Sequence, residues 1–238
     1  MANDYFQFKQ FTVSQNRCAM KVGTDGVLLG SWSNTGQAKS ILDVGTGTGL
    51  IALMLAQRSA AHIDAVEIDE QAYAQACENV QSSPWPRRIT IYKDSFIRFA
   101  GKAKKQYDIV LSNPPYFSKS LKTPDSQRNK ARHDISLSFA DLIKNASHLL
   151  KNSGRLNLIL PCPLHENLIK EAEKKGLFIT RKWWIKPNKQ KEPKRVLLEF
   201  SKTNTPLTDE KILTIEKDKR HDYTKEYIEL TKNFYLNF

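Results

Sequence analysis

The stretch that decides the fold of this chain runs from Ser40 to Ala56 and reads SILDVGTGTGLIALMLA. Its first five residues form a short apolar run typical of a buried strand. A glycine-rich loop follows over residues 45–49, and the apolar residues 50–56 then predict a helix. Glycines let the backbone approach a ligand closely, and the amino end of a helix favours polar or anionic groups. The stretch therefore predicts a ligand-binding βα unit in an α/β protein.

The glycine loop departs from the dinucleotide-binding pattern G-x-G-x-x-G, because its sixth place is Leu50. It reads D-x-G-x-G-x-G and resembles the loop of S-adenosylmethionine-dependent methyltransferases. This resemblance implies S-adenosyl-L-methionine as the cofactor, with the loop acid reaching it directly or through water. The predicted cofactor-binding residues of the loop are Asp43, Gly45, Thr46, Gly47 and Gly49.

Two further strand-like runs each end near an acidic residue. The run His62–Ile68 contains Glu67, which we expect to accept the ribose hydroxyls of the cofactor. The run Ile89–Tyr92 is followed by Asp94, which we expect to face the adenine amine of the cofactor. Either acid alone could be a solvated charge at a strand end. Their joint placement at successive strand ends favours binding, because ligands of open α/β sheets lie at that edge.

Asn113-Pro114-Pro115-Tyr116 directly follows the strand-like run Tyr107–Ser112. Consecutive prolines fix φ near −65° and remove backbone donors, so the turn is stiff. The Asn113 side-chain oxygen and the Pro114 carbonyl could accept the two hydrogens of a planar NH2 group, and Tyr116 offers a flat platform for its ring. The turn suits methylation of a poorly nucleophilic amide or amine nitrogen, although proline clusters after strands are also ordinary loops.

The rest of the chain completes a doubly wound α/β fold with a seven-stranded, mostly parallel sheet. A helix is predicted over Leu137–Leu150, ended by Gly154, and a second helix over Leu164–Lys175, stopped by Gly176. The later strands are predicted at 155–160, 177–185 and 195–201, the last two forming an antiparallel C-terminal hairpin. We predict a single methyltransferase domain made of an N-terminal segment over the cofactor site, a Rossmann-like core and a helical tail, at residues 1–35, 36–202 and 203–238.

Both ends of the chain are predicted to pack on this core. A helix is expected to begin at an N-cap at Thr24 or Asp25, and both residues are predicted cofactor contacts at the methionine end. In the tail, apolar and aromatic residues recur at helical spacing, which indicates docking rather than ligand binding. These residues are Tyr223, Tyr227, Leu230 and Phe234.

The formal net charge is +12, and two segments carry most of it. Residues 181–202 hold eight basic and two acidic residues, and residues 117–133 hold five basic and one acidic residue. Basic clusters beside a site suit a polyanion such as nucleic acid, although a solvated lysine-rich surface is the alternative. The predicted RNA-binding residues are Lys119, Lys122, Arg128, Lys130 and Arg132.

Composition narrows the setting in which the protein works. The chain shows no signal-peptide pattern and no apolar run long enough to span a membrane. Its three scattered cysteines lack metal-ligand spacing and indicate a reducing compartment. We therefore expect a cytoplasmic monomer without a metal.

Taken together, the chain resembles the bacterial tRNA (adenine-N6) methyltransferase family that modifies the adenine 3′ of the anticodon of valine tRNA. The resemblance rests on Phe8–Phe11, Cys18–Gly30, Asp43–Gly49, Asn113–Phe117 and Ala131–His133. It implies tRNA as the partner and adenine 37 as the target. Methylation of ribosomal RNA, DNA adenine or protein glutamine stays open, and so does a non-catalytic RNA-binding module.

Overall fold

An eight-stranded sheet lies at the centre of the computed structural model, which describes residues 3–114 and 137–237. The strands in chain order are β1 (Tyr5–Gln7), β2 (Thr12–Ser14), β3 (Ser40–Val44), β4 (His62–Glu67), β5 (Ile89–Lys93), β6 (Tyr107–Ser112), β7 (Leu150–Pro161), β8 (Phe178–Lys186), β9 (Arg195–Ser201) and β10 (Asp209–Thr214). The α-helices of the described residues are α1 (Thr24–Trp32), α2 (Leu50–Arg58), α3 (Glu70–Gln81), α4 (Phe96–Lys102), α5 (Phe139–Leu149), α6 (His165–Glu173) and α7 (Lys225–Thr231).

The strand order across the large sheet is β10-β8-β9-β7-β6-β3-β4-β5. All neighbours pair in parallel except β9, which is antiparallel to both β7 and β8. The predicted doubly wound α/β fold with a C-terminal hairpin is therefore confirmed. Because the parallel strands share a direction, the segments that follow them all leave from one edge of the sheet, which we call the carboxyl edge.

The sheet has one strand more than the seven predicted. The extra strand, β10, lies at the end of the sheet and pairs in parallel with β8. Its sequence, DEKILT, starts with three charged residues and shows no alternation of apolar residues. Edge strands commonly carry charge, because exposed charges discourage pairing with other chains. Because the sequence of β10 lacks the apolar alternation typical of a strand, we attribute its conformation to the pairing with β8.

Helix α1 lies close against α2 because two of its residues are glycines one turn apart. A Cβ added to Gly30 would lie 2.8 Å from Met54 Sδ, and one added to Gly26 would lie 3.0 Å from Leu50 Cδ2. Larger side chains at these positions would push the helices apart. This contact holds α1 beside the helix that follows the glycine loop.

Gly154 does not end a helix, as predicted, but lies inside β7. Helix α5 ends at Leu149 and β7 begins at the next residue. A Cβ on Gly154 would lie 2.9 Å from the Tyr107 carbonyl oxygen, at the irregular start of the β6–β7 pairing. The glycine is therefore explained by close approach of two backbones. Gly176 follows α6 with φ 69°, the left-handed conformation expected of a helix-stopping glycine.

Strands β1 and β2 pair antiparallel and form an N-terminal hairpin. This hairpin and the C-terminal tail pack against each other and on the large sheet. The Lys9 amide donates to the Phe234 carbonyl over 2.8 Å. Tyr227 and Phe234 are buried in the same apolar cluster as α1 and α2, and Tyr223 and Leu230 pack against it. The predicted docking of the tail stripe is confirmed.

Three further features bear on the protein's chemistry. None of the described helices is both long enough and apolar enough to cross a membrane. Within residues 3–114 and 137–237, no three His, Cys, Asp or Glu side chains converge as a metal site would need. Burial, with help from the nearby Glu67 and Asp69 carboxylates, raises the pKa of the Cys18 thiol to about 11. That thiol is therefore protonated at neutral pH and serves packing.

Candidate active site at the carboxyl edge of the sheet

The glycine loop adopts a conformation that side chains rarely allow. Gly45, Gly47 and Gly49 have φ of 73°, 58° and 82°, all in the left-handed region. The amides of Gly45 and Thr46 donate to the Val66 carbonyl, over 2.9 and 3.1 Å, which fixes the loop to the end of β4. No atom of the described residues would lie within 4 Å of a Cβ on Gly45 or Gly47. The loop therefore presents bare backbone to open space.

Asp43, the last acid before the loop, is fully buried and only half satisfied. Its Oδ2 accepts a hydrogen bond from Thr46 Oγ1 over 2.6 Å, and its buried Oδ1 has no partner among the described residues. Burial raises the pKa of this carboxyl to about 7; the Thr46 hydrogen bond lowers it in part, and the Glu67 charge adds to the rise. A buried acceptor without a hydrogen bond costs free energy, so a hydrogen-bond donor on a bound ligand would stabilise this site.

Glu67 is held against the glycine loop by three backbone donors. Its Oε2 accepts from the Gly47 amide over 2.8 Å, and its Oε1 accepts from the amides of Ile68 and Asp69 over 2.8 and 2.9 Å. A carboxylate has about four acceptor sites, so one site on Oε2 remains open. Among the described residues no other donor bonds to this carboxylate, so it can accept a further hydrogen bond from a ligand.

Asp94 follows β5 and is paired with cations. Its Oδ1 accepts from the Ser95 amide and from Arg98 Nε, over 2.8 and 2.6 Å, and Lys102 Nζ lies 3.3 Å from Oδ2. Although desolvation acts to raise it, the hydrogen bonds from Arg98, Ser95 and Lys102 hold the pKa of Asp94 below its usual value. The acid is therefore ionised at neutral pH. A cofactor amine would have to share it with Arg98.

Helix α1 begins one residue earlier than predicted. Its N-cap is Gly23, and neither Thr24 nor Asp25 caps it; both lie in its first turn. The Thr24 side chain is exposed, while Asp25 Oδ2 accepts from Arg195 Nε over 2.7 Å. Arg195 begins β9 and is paired in register with the end of β7. No local sequence pattern indicates this ion pair, because its partners are 170 residues apart.

Asn113 and Pro114 leave the carboxyl edge directly beside the glycine loop. Ser112 and Val44 are partners in the β6–β3 register, and Ser112 Oγ donates to the Val44 carbonyl over 2.8 Å. Asn113 and Gly45 are the residues that follow this pair. Asn113 is half-buried and Pro114 is buried. Neighbouring strands lie about 4.8 Å apart, so the two predicted motifs meet at one place.

Several predicted residues lie outside the described part of the chain. They are Tyr116 of the candidate catalytic turn and the candidate RNA-binding residues Lys119, Lys122, Arg128, Lys130 and Arg132. Of the remaining predicted site residues, Thr24 and Asp25 lie in α1, and the others lie at the carboxyl ends of four adjacent strands, β6, β3, β4 and β5, or directly after them. Two cavities, of about 340 and 470 Å³, lie at the opposite edge of the sheet and contain none of them.

Asn79 of α3 is a positioning residue that sequence reasoning missed. Its Nδ2 donates to the carbonyls of Ser14 and Thr48, both over 2.9 Å, and its Oδ1 accepts from the Ser14 amide over 2.8 Å. The side chain is almost fully buried. It ties the N-terminal hairpin to the glycine loop. A polar residue on the apolar face of an amphipathic helix was the available signal.

The site can be compared with known proteins. Residues 19–169 match the model of the methyltransferase small domain family. The tRNA1(Val) (adenine(37)-N6)-methyltransferase of Parabacteroides distasonis is 48% identical over 99% of both chains. The protein of the same name from Trichodesmium erythraeum is 47% identical over the full length of both.

Solved structures share the fold at low sequence identity. A predicted O-methyltransferase from Agrobacterium tumefaciens matches with a TM-score of 0.69 and 19% identity, covering 88% of this chain and 96% of that one. A ribosomal protein L11 methylase from Lactobacillus delbrueckii matches with a TM-score of 0.58 and 16% identity, covering 79% and 83%. Together with the full-length relatives and the family match, these findings show that the chain belongs to the tRNA1(Val) (adenine(37)-N6)-methyltransferase family.

Proposed function

We propose that this protein transfers a methyl group from S-adenosyl-L-methionine to N6 of adenine 37, next to the anticodon of a valine tRNA. The observation that carries the proposal is the register that sets Asn113-Pro114 beside the glycine loop. Identities of 45–48% with relatives of that name, over nearly the whole chain, support the choice of substrate. A tRNA substrate would place the enzyme in the cytoplasm, and we expect it to act there as a monomer of one domain.

The residues of the loop fit the proposed cofactor, which when bound supplies an electrophilic methyl group. The free Oδ1 of Asp43 suits an ammonium or hydroxyl donor, and the open acceptor site of Glu67 suits a ribose hydroxyl. The open space beside Gly45 and Gly47 lets a ligand contact backbone directly. Thr24, Asp25, Thr46, Gly49, Asp94 and Asn113 are the further residues that we assign to this site, where Asn113 acts mainly on the substrate amine and contributes little to cofactor affinity.

Asn113 and Pro114 would orient the substrate nitrogen. The N6 lone pair of adenine is delocalised into the ring, so the amine must be held and turned for attack. The Asn113 side-chain oxygen and the Pro114 carbonyl would accept its two hydrogens, while Tyr116 stacks on the base. Such orientation contributes up to about 7–11 kcal/mol in well-aligned systems. The proton released from N6 would pass to water.

The adenine must first leave its stack to reach Asn113. Extruding a base costs a few kcal/mol, and least in a single-stranded loop such as the one that holds the anticodon. Stacking on an aromatic ring returns about 1–3 kcal/mol. A loop nucleotide is therefore an accessible target for this turn, whereas a paired base would cost more.

Methylation of purified tRNA tests the proposal. We expect the protein to methylate a valine tRNA carrying adenine 37 and to leave the same tRNA with guanine 37 unmodified, as read by mass spectrometry of nuclease digests. Methyl transfer to ribosomal RNA, DNA or a glutamine peptide with none to this tRNA would overturn the proposal.

Replacing Asn113 tests the mechanism. We expect Asn113→Ala to lower turnover at least roughly tenfold with cofactor affinity near that of the wild type, because the lost contact strengthens as N6 pyramidalises. Calorimetry measures the affinity and a methyl-transfer assay measures the turnover. Asn167→Ala, at an exposed position of α6, is the matched control. Unchanged turnover in the Asn113 variant would remove the proposed role of this turn.

A further inference from the structure

Two loops that are distant in sequence come together at the carboxyl edge. The first loop joins β8 to β9, and the second loop follows β10. Strands β8 and β10 run parallel to β6 and β3, so both loops begin at the carboxyl edge. Amides of the second loop donate to carbonyls of the first: Ile215 to Lys186 and Glu216 to Pro187, both over 2.9 Å. Gln190 Nε2 also donates to Asp218 Oδ1 over 3.3 Å. The two loops therefore form one surface.

In the second loop the acids are hydrogen-bonded within the two loops, whereas two of the cations form no ion pair with any described residue. Its three acids are occupied within the two loops: Asp222 pairs with Lys217 over 2.8 Å, and Glu216 accepts from the His221 amide over 2.9 Å. The third acid, Asp218, accepts from Gln190. Lys219 and Arg220 are exposed and take part in none of the ion pairs formed by the described residues.

The first loop adds three cations of the same kind. Lys189, Lys191 and Lys194 are exposed, and none of them belongs to an ion pair of the described residues. We call these three residues, with Lys219 and Arg220, the basic platform. Unpaired exposed cations repel one another and gain from a polyanion that releases its counterions on binding.

The second loop is also locally constrained. His221 has φ 67°, which is uncommon for a residue with a side chain. The Lys217 amide donates to the Asp222 carbonyl over 2.7 Å, and the Asp222 amide donates to the Lys219 carbonyl over 3.1 Å. These hydrogen bonds close a tight turn with Lys219 and Arg220 on its exposed side. The two cations are therefore held in place rather than carried on a free tail.

The basic platform lies within reach of a substrate bound at Asn113. In the sheet order β8 is three strands from β6 and β10 is four, which corresponds to about 14–19 Å at 4.8 Å per step. Nucleotides are spaced by roughly 3.4 Å along a helical strand, so the gap spans about four to six of them. A free nucleotide at Asn113 could not reach the platform. A loop nucleotide would bring with it the phosphates of the stem that closes its loop.

We propose that the basic platform, assembled from the β8–β9 loop and the turn after β10, binds the phosphate backbone of the tRNA stem that flanks the target loop. The inference rests on the proposed function for the identity of the RNA. It assigns a role to the segment 215–222, whose three acidic and three basic residues give a formal charge of zero. Phosphate contacts fix register and orientation without reading sequence, so the platform would position the stem while Asn113 receives the base.

The test measures tRNA affinity against salt for two platform variants and two composition-matched controls. Lys219→Gln with Arg220→Gln is compared with Arg87→Gln with Lys104→Gln. Lys189→Gln, Lys191→Gln and Lys194→Gln together are compared with Lys39→Gln, Lys104→Gln and Lys175→Gln together. The control residues are exposed cations at the opposite edge of the sheet, without ion pairs among the described residues. Cofactor affinity, measured on the same samples, reports on folding.

We expect each platform variant to flatten the slope of log affinity against log salt by roughly 0.7–0.9 for each cation lost. Its affinity at low salt should fall about tenfold, while the controls stay near wild type. The single variants Lys219→Gln and Arg220→Gln should each show about half of the double variant's loss of slope. Platform variants that match their controls would overturn the inference even though the wild type methylates adenine 37. Absence of that methylation in the wild type would instead overturn the proposed function.

Discussion

Two regions at the carboxyl edge differ in the sign and the burial of their charged side chains. Beside the glycine loop, Asp43 and Glu67 are buried acids held by hydroxyl and backbone donors, without a basic side chain in their hydrogen bonds. At the basic platform, the acids of the second loop are hydrogen-bonded within the two loops, and the five cations are exposed and form no ion pair among the described residues.

The difference follows from the size and charge of what each region would bind. A small cofactor can be enclosed, so buried and preorganised acceptors act on it at low dielectric and pay no reorganisation on binding. A polyanion cannot be enclosed, so exposed cations that release counterions suit it better. We therefore expect Asp43 and Glu67 to depend on their burial for their effect, and the platform cations to depend on their exposure. The following experiments test these expectations.

The largest effect is expected from Asp43, whose pKa is raised to about 7 by burial. Between about pH 4 and pH 7 this carboxyl is protonated in the folded protein and ionised in the unfolded chain. The free energy of unfolding should therefore fall as pH rises through that window, by up to about 1.4 kcal/mol per pH unit, and level off above it.

Asp43→Asn should remove this dependence. The difference in unfolding free energy between wild type and Asp43→Asn, measured by urea denaturation from pH 4 to pH 8, should grow in favour of the variant as pH rises. Taking the difference cancels the contributions of other groups, including Asp94. Parallel pH curves for the two proteins would mean that Asp43 is not a buried, strained acid.

An intermediate effect is expected from Glu67. Glu67→Gln removes the negative charge that the three backbone donors stabilise. It also replaces one acceptor oxygen, which serves two hydrogen-bond positions, with a donor NH2 group. Charge-assisted hydrogen bonds are worth about 1.5–3 kcal/mol, so cofactor affinity should fall roughly tenfold to a hundredfold. Calorimetry measures it, and tRNA affinity should not change. Glu166→Gln, at an exposed position of α6, is the control. Equal cofactor affinities in both variants would contradict the role of this acid.

The smallest effect is expected at the border between the two regions, where Asp25 pairs with Arg195 over 2.7 Å. Both side chains are partly exposed, and such pairs contribute about 0.2–1 kcal/mol. A double-mutant cycle of Asp25→Asn and Arg195→Gln, read by thermal unfolding, should give a coupling energy in that range. A coupling well above it would indicate that the pair organises the site, and that the two regions are less separate than their charges suggest.

The agreement between sequence and structure varies with how local the deciding interactions are. Strands β3, β4 and β6 are apolar runs buried on both faces, so their sequences identify them directly. Gly176 stops a helix through its own backbone conformation. The charged strand β10, by contrast, depends on pairing with β8 for its conformation. Its sequence pattern could not reveal it.

The errors have the same origin. Gly154 reads as a helix end. A glycine is needed there because the Tyr107 carbonyl, in a strand more than forty residues earlier, leaves no room for a Cβ. Asp25 reads as a helix cap, yet Gly23 is the cap and the Asp25 carboxylate accepts from Arg195. Asn79 carries no motif, yet it joins the N-terminal hairpin to the glycine loop. In each case the partner comes from a distant part of the chain.

By itself, the sequence determined the fold class, the glycine loop, the acids at the ends of β4 and β5 and the Asn113-Pro114 turn, because each depends on residues adjacent in the chain. Only the tertiary structure decided that Asn113 emerges next to Gly45, that Glu67 has one open acceptor site, and that Lys219 and Arg220 join the cations of another loop. Strand order and loop contacts bring these groups together, and both result from burying two faces of one sheet. That burial is a property of the whole chain, so no local pattern records it.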